Sequence, residues 1–186
     1  MLLRNRAPSL DAVPVAAAEG YEHLAPSAIA VMHWLTTSGV DFVLVGGVAR
    51  SIRGDSAARG PVAIVPAPYG RNLDRLAHAL SSARAQERTH GQSAGAEGED
   101  APGQPLKLTA DLLVRSTRWE LSCGGHELDI EGRPHGGPSY QELLYEAIRF
   151  TVSAEVAVEV AAPEDIEYYD QVRRTGIAPE ITVSRL

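Results

Sequence analysis

The residues with the clearest chemical potential cluster around a double glycine. Gly46-Gly47 follows the apolar run Val40 to Val45, and Arg50, Arg53 and Arg59 come soon after. Glycines at the end of a strand let backbone amides approach a phosphate closely, and they also serve any tight strand-to-helix turn. The three arginines could grip an anion bidentately, or they could be solvated charges of a helix and its loop. Asp129, in a segment with strand character, either faces a cleft or is solvated on a strand. Asp55 is a loop carboxylate near the double glycine. Cys123, His126 and His135 lie close enough in sequence to suggest zinc, but no fourth ligand is evident and Cys-Gly-Gly-His is also an ordinary hairpin turn. Cys123 has no evident activating base. Ser51, Ser56 and Ser116 lack the G-x-S-x-G setting of a serine nucleophile. Tyr168-Tyr169 could form an exposed patch for a partner or pack in the core.

The elements that must position these groups follow from pattern. Ile29, Met32, Trp34 and Leu35 recur at helical spacing after Pro26-Ser27, which predicts a helix with Ser27 as N-cap and a stop at Gly39. Val40 to Val45 suits a buried strand, Val48 to Arg53 a short helix, and Val62 to Val65 a second strand stopped by Pro66. Leu73, Leu76 and Leu80 predict a helix over Asn72 to Arg84. Trp119 to Ser122 and His126 to Ile130 read as a hairpin turning at Gly124-Gly125. A helix from Ser139 to about Ala147, a hairpin of Ile148 to Val152 with Val156 to Val160, and a helix from Pro163 to about Arg174 complete an α/β (α+β) domain with a mixed sheet flanked by helices. The domain spans 26–175. Residues 1–25 read as a loosely attached arm and 176–186 as a patternless tail. The polar, Gly- and acid-rich stretch 86–105 reads as a flexible loop.

Composition bounds the function class. The 186-residue chain is 44% hydrophobic with only 5% aromatics, so its core must be mainly aliphatic. A net charge of -7 argues against a broad nucleic-acid-binding surface, though not against a local basic cleft. A single cysteine permits no intrachain disulfide and fits a reducing compartment. No apolar run approaches the roughly 18 residues of a membrane span, and Met1 to Arg4 is too short for a signal peptide, so a cytoplasmic location without membrane contact is expected.

Four stretches, in order, carry a family resemblance. They are Gly39-Val40-Asp41-Phe42-Val43-Leu44-Val45-Gly46-Gly47-Val48-Ala49-Arg50, Val62-Ala63-Ile64-Val65-Pro66 with Asn72-Leu73-Asp74-Arg75-Leu76, Glu127-Leu128-Asp129-Ile130-Glu131-Gly132-Arg133-Pro134, and Val160-Ala161-Ala162-Pro163-Glu164-Asp165-Ile166. Together they resemble the DNA polymerase β-like nucleotidyltransferase superfamily, in particular small bacterial members related to AbiE-type toxins. The resemblance implies Mg²⁺ and an NTP as cofactor and substrate, with Gly46 and Gly47 at the phosphates. It also implies an acid pair on the second strand and a third carboxylate from a neighbouring strand, which Asp129 matches.

The chain departs from that pattern where the chemistry is most demanding. The acid-pair positions are Pro61 and Ala63, and neither side chain can bind a metal. Asp55 would be the substitute ligand. The last helix has Asp170 and then Arg173-Arg174-Thr175-Gly176, where relatives often carry a lysine and an Arg-x-x-Asp run. The expectation is a pseudoenzyme that binds a partner or an anionic ligand such as a nucleotide, with Arg50 and Arg53 contributing and Asp129 as a relic. The alternatives are an active transferase moving a nucleotide onto RNA or protein, and a pure protein-interaction module.

Overall fold

The structure, a computed structural model, describes residues 9–10, 15–88, 108–115, 118–133 and 137–176. Its elements are α1 (Pro26–Thr37), β1 (Phe42–Val45), α2 (Gly46–Ile52), β2 (Val62–Pro66), α3 (Gly70–Ser82), β3 (Gln86–Glu87), α4 (Ala110–Arg115), β4 (Arg118–Cys123), β5 (His126–Glu131), α5 (Tyr140–Glu146), β6 (Ile148–Ser153), β7 (Val156–Val160) and α6 (Pro163–Thr175). The seven strands form one mixed sheet in the order β3-β4-β5-β2-β1-β7-β6. The pairs β1/β7 and β2/β5 are parallel and the others antiparallel. No helix among the described residues is long and apolar enough to cross a membrane.

The central strands have no exposed face, as their continuous apolar runs require: all four residues of β1 and Val62 to Val65 of β2 are buried. Trp34, Met32 and Leu35 of α1 are fully buried, and α1 packs along β2, β5 and β7. The double glycine ends β1, as expected, but also starts α2 itself. The first helix begins at Pro26, with Ala25 rather than Ser27 as its N-cap and no side-chain cap. Pro tolerates the first helical position because its missing N–H would have no intrahelical partner there. By contrast, Ser139 forms a full capping box with Glu142 at the start of α5.

Two stretches expected to be loose are tied down. The arm over 15–25 crosses the β6 edge: Ala17 bridges Ser153, the Ala18 N–H donates to the Val152 carbonyl at 2.8 Å, and Leu24 is buried. An unpaired strand edge takes up such a partner readily. The stretch expected as a loop over 86–105 begins instead as a strand, because Gln86 and Glu87 pair with Ser122 and Leu121 of β4. The Arg88 N–H continues the ladder to the Glu120 carbonyl at 2.8 Å. The remainder of that loop, 89–105, lies outside the described residues, as does the tail beyond Gly176. The short helix α4 had no counterpart in the sequence reading.

Asn72 is a second departure. It was expected to open a helix, yet α3 already starts at Gly70 and Asn72 is buried inside its first turn. Its Oδ1 accepts the Asp41 N–H at 2.8 Å, and its Nδ2 donates to the carbonyls of Asp41 and Ala67 at 2.9 and 3.0 Å. One amide therefore clamps α3 to the entry of β1 and the exit of β2. Asn72→Ala strands these backbone groups away from water, and is expected to lower the unfolding free energy in urea by about 2–3 kcal/mol. Equal stability would show that water satisfies them.

Candidate functional site: a carboxylate ladder closed by arginines

Alternation along β5 places Glu127, Asp129 and Glu131 on one face, and sends Leu128 and Ile130 into the apolar layer on the other. Antiparallel register with β4 adds Arg118, opposite Glu131, and Glu120, opposite Asp129. On the other side, Ala63 of β2 pairs with Asp129. Asp129 is completely buried. A directly opposed Glu–Asp pair repels, so this arrangement demands cations.

Three guanidinium groups supply them, each from a different element. Arg88, just past β3, bonds Asp129 and lies 3.1 Å from Glu127. Arg118 of β4 reaches Asp129 at 3.0 Å and Glu120 at 2.7 Å. Arg173 of α6 bonds Glu131 and sits 3.7 Å from Asp129. Burial pushes the Glu131 carboxyl above its usual range, while Arg173 and Arg118 pull it back. Burial opposes the charge on Arg173, but Glu131 and Asp129 outweigh it, and its pKa ends above the ordinary arginine value.

The double glycine is needed for contacts with the chain's own groups. Gly46 has φ of 72°, and a Cβ there would lie 3.1 Å from the Ala63 methyl and 3.3 Å from Nη1 of Arg173. A Cβ on Gly47 would lie 2.2 Å from the Arg59 carbonyl oxygen, a forbidden distance. What covers the turn is thus Arg173 on one glycine and the Arg59 backbone on the other.

The other residues singled out from sequence are placed elsewhere. Asp55 is exposed in the loop after α2, where its carboxylate accepts the Ala57 N–H at 3.2 Å; it does not join the ion pairs of Asp129. Arg50 and Arg53 are not free for an anion. Arg50 pairs with Glu167 and Asp170 of α6 at 2.9 and 2.5 Å. Arg53 donates to the carbonyls of Ala161 and Val160 and lies over the Phe150 ring. Ala63 pairs with Asp129 and is fully buried, and Pro61 lies just before β2.

Cys123 is buried, and desolvation pushes its thiol up to about 12, so it holds its proton at neutral pH. Among the described residues no group of three His, Cys, Asp or Glu side chains could hold a metal. His135 and Ser116 lie outside those residues. Tyr168 and Tyr169 are buried, and their rings meet edge-on at 6.0 Å.

The sequence reading missed Arg88, Arg118, Glu120, Glu127 and Glu131. The period-two charges in Arg118-Trp119-Glu120 and Glu127-Leu128-Asp129-Ile130-Glu131 could have revealed four of them. Arg173 stood out only as a departure in the last helix. Compared with known proteins, the sequence matches no family model and no curated protein.

Two substitutions test the ladder. Arg173→Met leaves Asp129 and Glu131 short of a cation, and is expected to destabilise the fold by about 3 kcal/mol at neutral pH. Without Arg173 the folded-state pKa of Glu131 rises further, so the unfolded state ionises first. Stability is then retained below the unfolded value and lost as pH rises through the interval up to the folded one. The gap to the native chain, followed by urea titration, therefore narrows on acidification; a gap independent of pH counts against the ion-pair account. Gly47→Ala should fail to fold or lose more than about 3 kcal/mol, because backbone must move to admit one methyl group.

Proposed function

We propose that this chain is a nucleotidyltransferase-like protein without transferase chemistry, acting by binding rather than by catalysis. One observation carries the reading: the carboxylates beside the double glycine are neutralised by Arg88, Arg118 and Arg173, while the neighbouring strand offers Pro61 and Ala63 in place of acids. Metal-dependent nucleotidyl transfer requires carboxylates that converge on an open coordination site. Guanidinium groups satisfy the charge of Asp129 and Glu131 but offer no coordination position for a triphosphate or an attacking oxygen. The reading is supported by the register that sets Asp129 of β5 beside Ala63 of β2, since the resemblance implies a third carboxylate from a neighbouring strand.

A second reading, a protein-interaction module, is favoured by the exposed apolar groups around α5. Tyr145 is 87% and Ile148 53% exposed, more than packing needs.

The test is a thermal-shift series of the purified chain with ATP, GTP, CTP and UTP, each with and without Mg²⁺. A ligand at a hundred times its Kd adds about 2.7 kcal/mol of stability. The expected result is no Mg²⁺-dependent stabilisation and no transfer of labelled nucleotide to RNA or protein. A shift that requires Mg²⁺, accompanied by label transfer, would overturn the proposal.

A further inference from the structure

A cleft of about 300 Å³ adjoins the Glu127 end of the carboxylate ladder, between the start of α1, α2, the segment 58–62 and the β4–β5 turn. Its position depends on the N-terminal arm. Nε2–H of His23 donates to the Ser51 carbonyl at 3.2 Å and ties the arm to α2, so that His23 and Leu24 become one wall. Leu24, Ala28 and Val48 give that wall an apolar surface for an organic body.

Polar groups also line the cleft. His126, half-buried, lines the cleft. Arg59 lines the same space. Its Nη1 donates to the carbonyls of Ser56 and Ala58 in its own loop, which holds the guanidinium. Ser27 adds a hydroxyl.

Charge selects the ligand class. Arg59 is the permanent cation of the lining, and the carboxylate present, Glu127, is engaged by Arg88 at 3.1 Å. One guanidinium matches one negative charge and leaves a triphosphate largely uncompensated. The volume is at the lower end for small-molecule sites, which run from about 300 to 1,000 Å³.

We propose that this cleft binds a small organic monocarboxylate, its head between Arg59 and His126 and its apolar body against Leu24, Ala28 and Val48. This inference rests on the binding reading for its biological sense, but its site shares no cation with the carboxylate ladder. The experiment is an amide NMR titration of the full chain with benzoate and with hexanoate, and with inorganic phosphate and ATP as comparators, to several times a Kd of about 1 mM.

Saturable shifts centred on Ser27, Gly60 and His126 with a carboxylate, weakened at least about tenfold by Arg59→Gln, are expected. Arg59 is exposed and Ser27 lies at the exposed start of α1, so Arg59→Gln and the plugging variant Ser27→Trp should both keep the native spectrum elsewhere. Ser27→Trp should abolish the shifts, and it carries the test alone if Arg59→Gln does not fold. No saturable shift with either carboxylate, shifts unaffected by both variants, or equal binding of phosphate would overturn the inference. Those outcomes leave the reading of the ladder standing, whereas Mg²⁺-dependent stabilisation by ATP overturns that reading and leaves carboxylate binding intact.

Discussion

Everything on one half of the sheet depends on holding Asp129 without water. An isolated ionised carboxylate moved into a protein interior costs several kcal/mol even after relaxation. Here Glu120 faces it directly across β4 and adds repulsion. The solution is three guanidinium groups brought from just past β3, from β4 and from α6, whose planar forks can each serve two carboxylates at once. The sheet edge, the hairpin and the last helix are thereby coupled through one residue. Each of the three offsets part of the cost of burying Asp129.

The same constraint explains the last helix. Arg50 holds Glu167 and Asp170, Arg53 holds the carbonyls that precede α6, and Arg173 closes over Glu131 and Gly46. Groups that sequence alone would offer to a ligand are used to seat α6 on α2 and the sheet. Gly46 and Gly47 are small because an arginine and a backbone carbonyl approach them. A guanidinium balances charge as a cation does, yet it is tethered and coordinatively closed. Beside the 58–62 segment, Arg59 and His126 line a cleft that the N-terminal arm helps to build.

The mixed α/β class was legible because the signals are local. Long apolar periods marked α1 and α3, continuous apolar runs marked β1 and β2, and glycine pairs marked the turns at Gly46 and Gly124. The errors arose where tertiary contact overrides local preference. Gln86 and Glu87 are too polar to announce a strand, and pair only because β4 presents an open edge. The arm over 15–25 has no period, yet Leu24 and the bridge at Ala17 anchor it. Asn72 has the chemistry of a helix opener and serves as a clamp between two strands' ends.

The candidate site divides along the same line. From sequence came Asp129 as a strand acid, cleft-facing or solvated, the missing acids at Pro61 and Ala63, and the need for small residues at Gly46 and Gly47; each is a property of residue type at a position. Only the tertiary structure decided which cations meet Asp129, since Arg88, Arg118 and Arg173 are separated by up to 85 positions (173 minus 88) along the chain. It also removed Arg50, Arg53 and Asp55 from that site. The physical reason is that periodicity tells which face a side chain occupies, whereas an ion pair is set by where another element crosses that face, and nothing local in the sequence encodes that crossing.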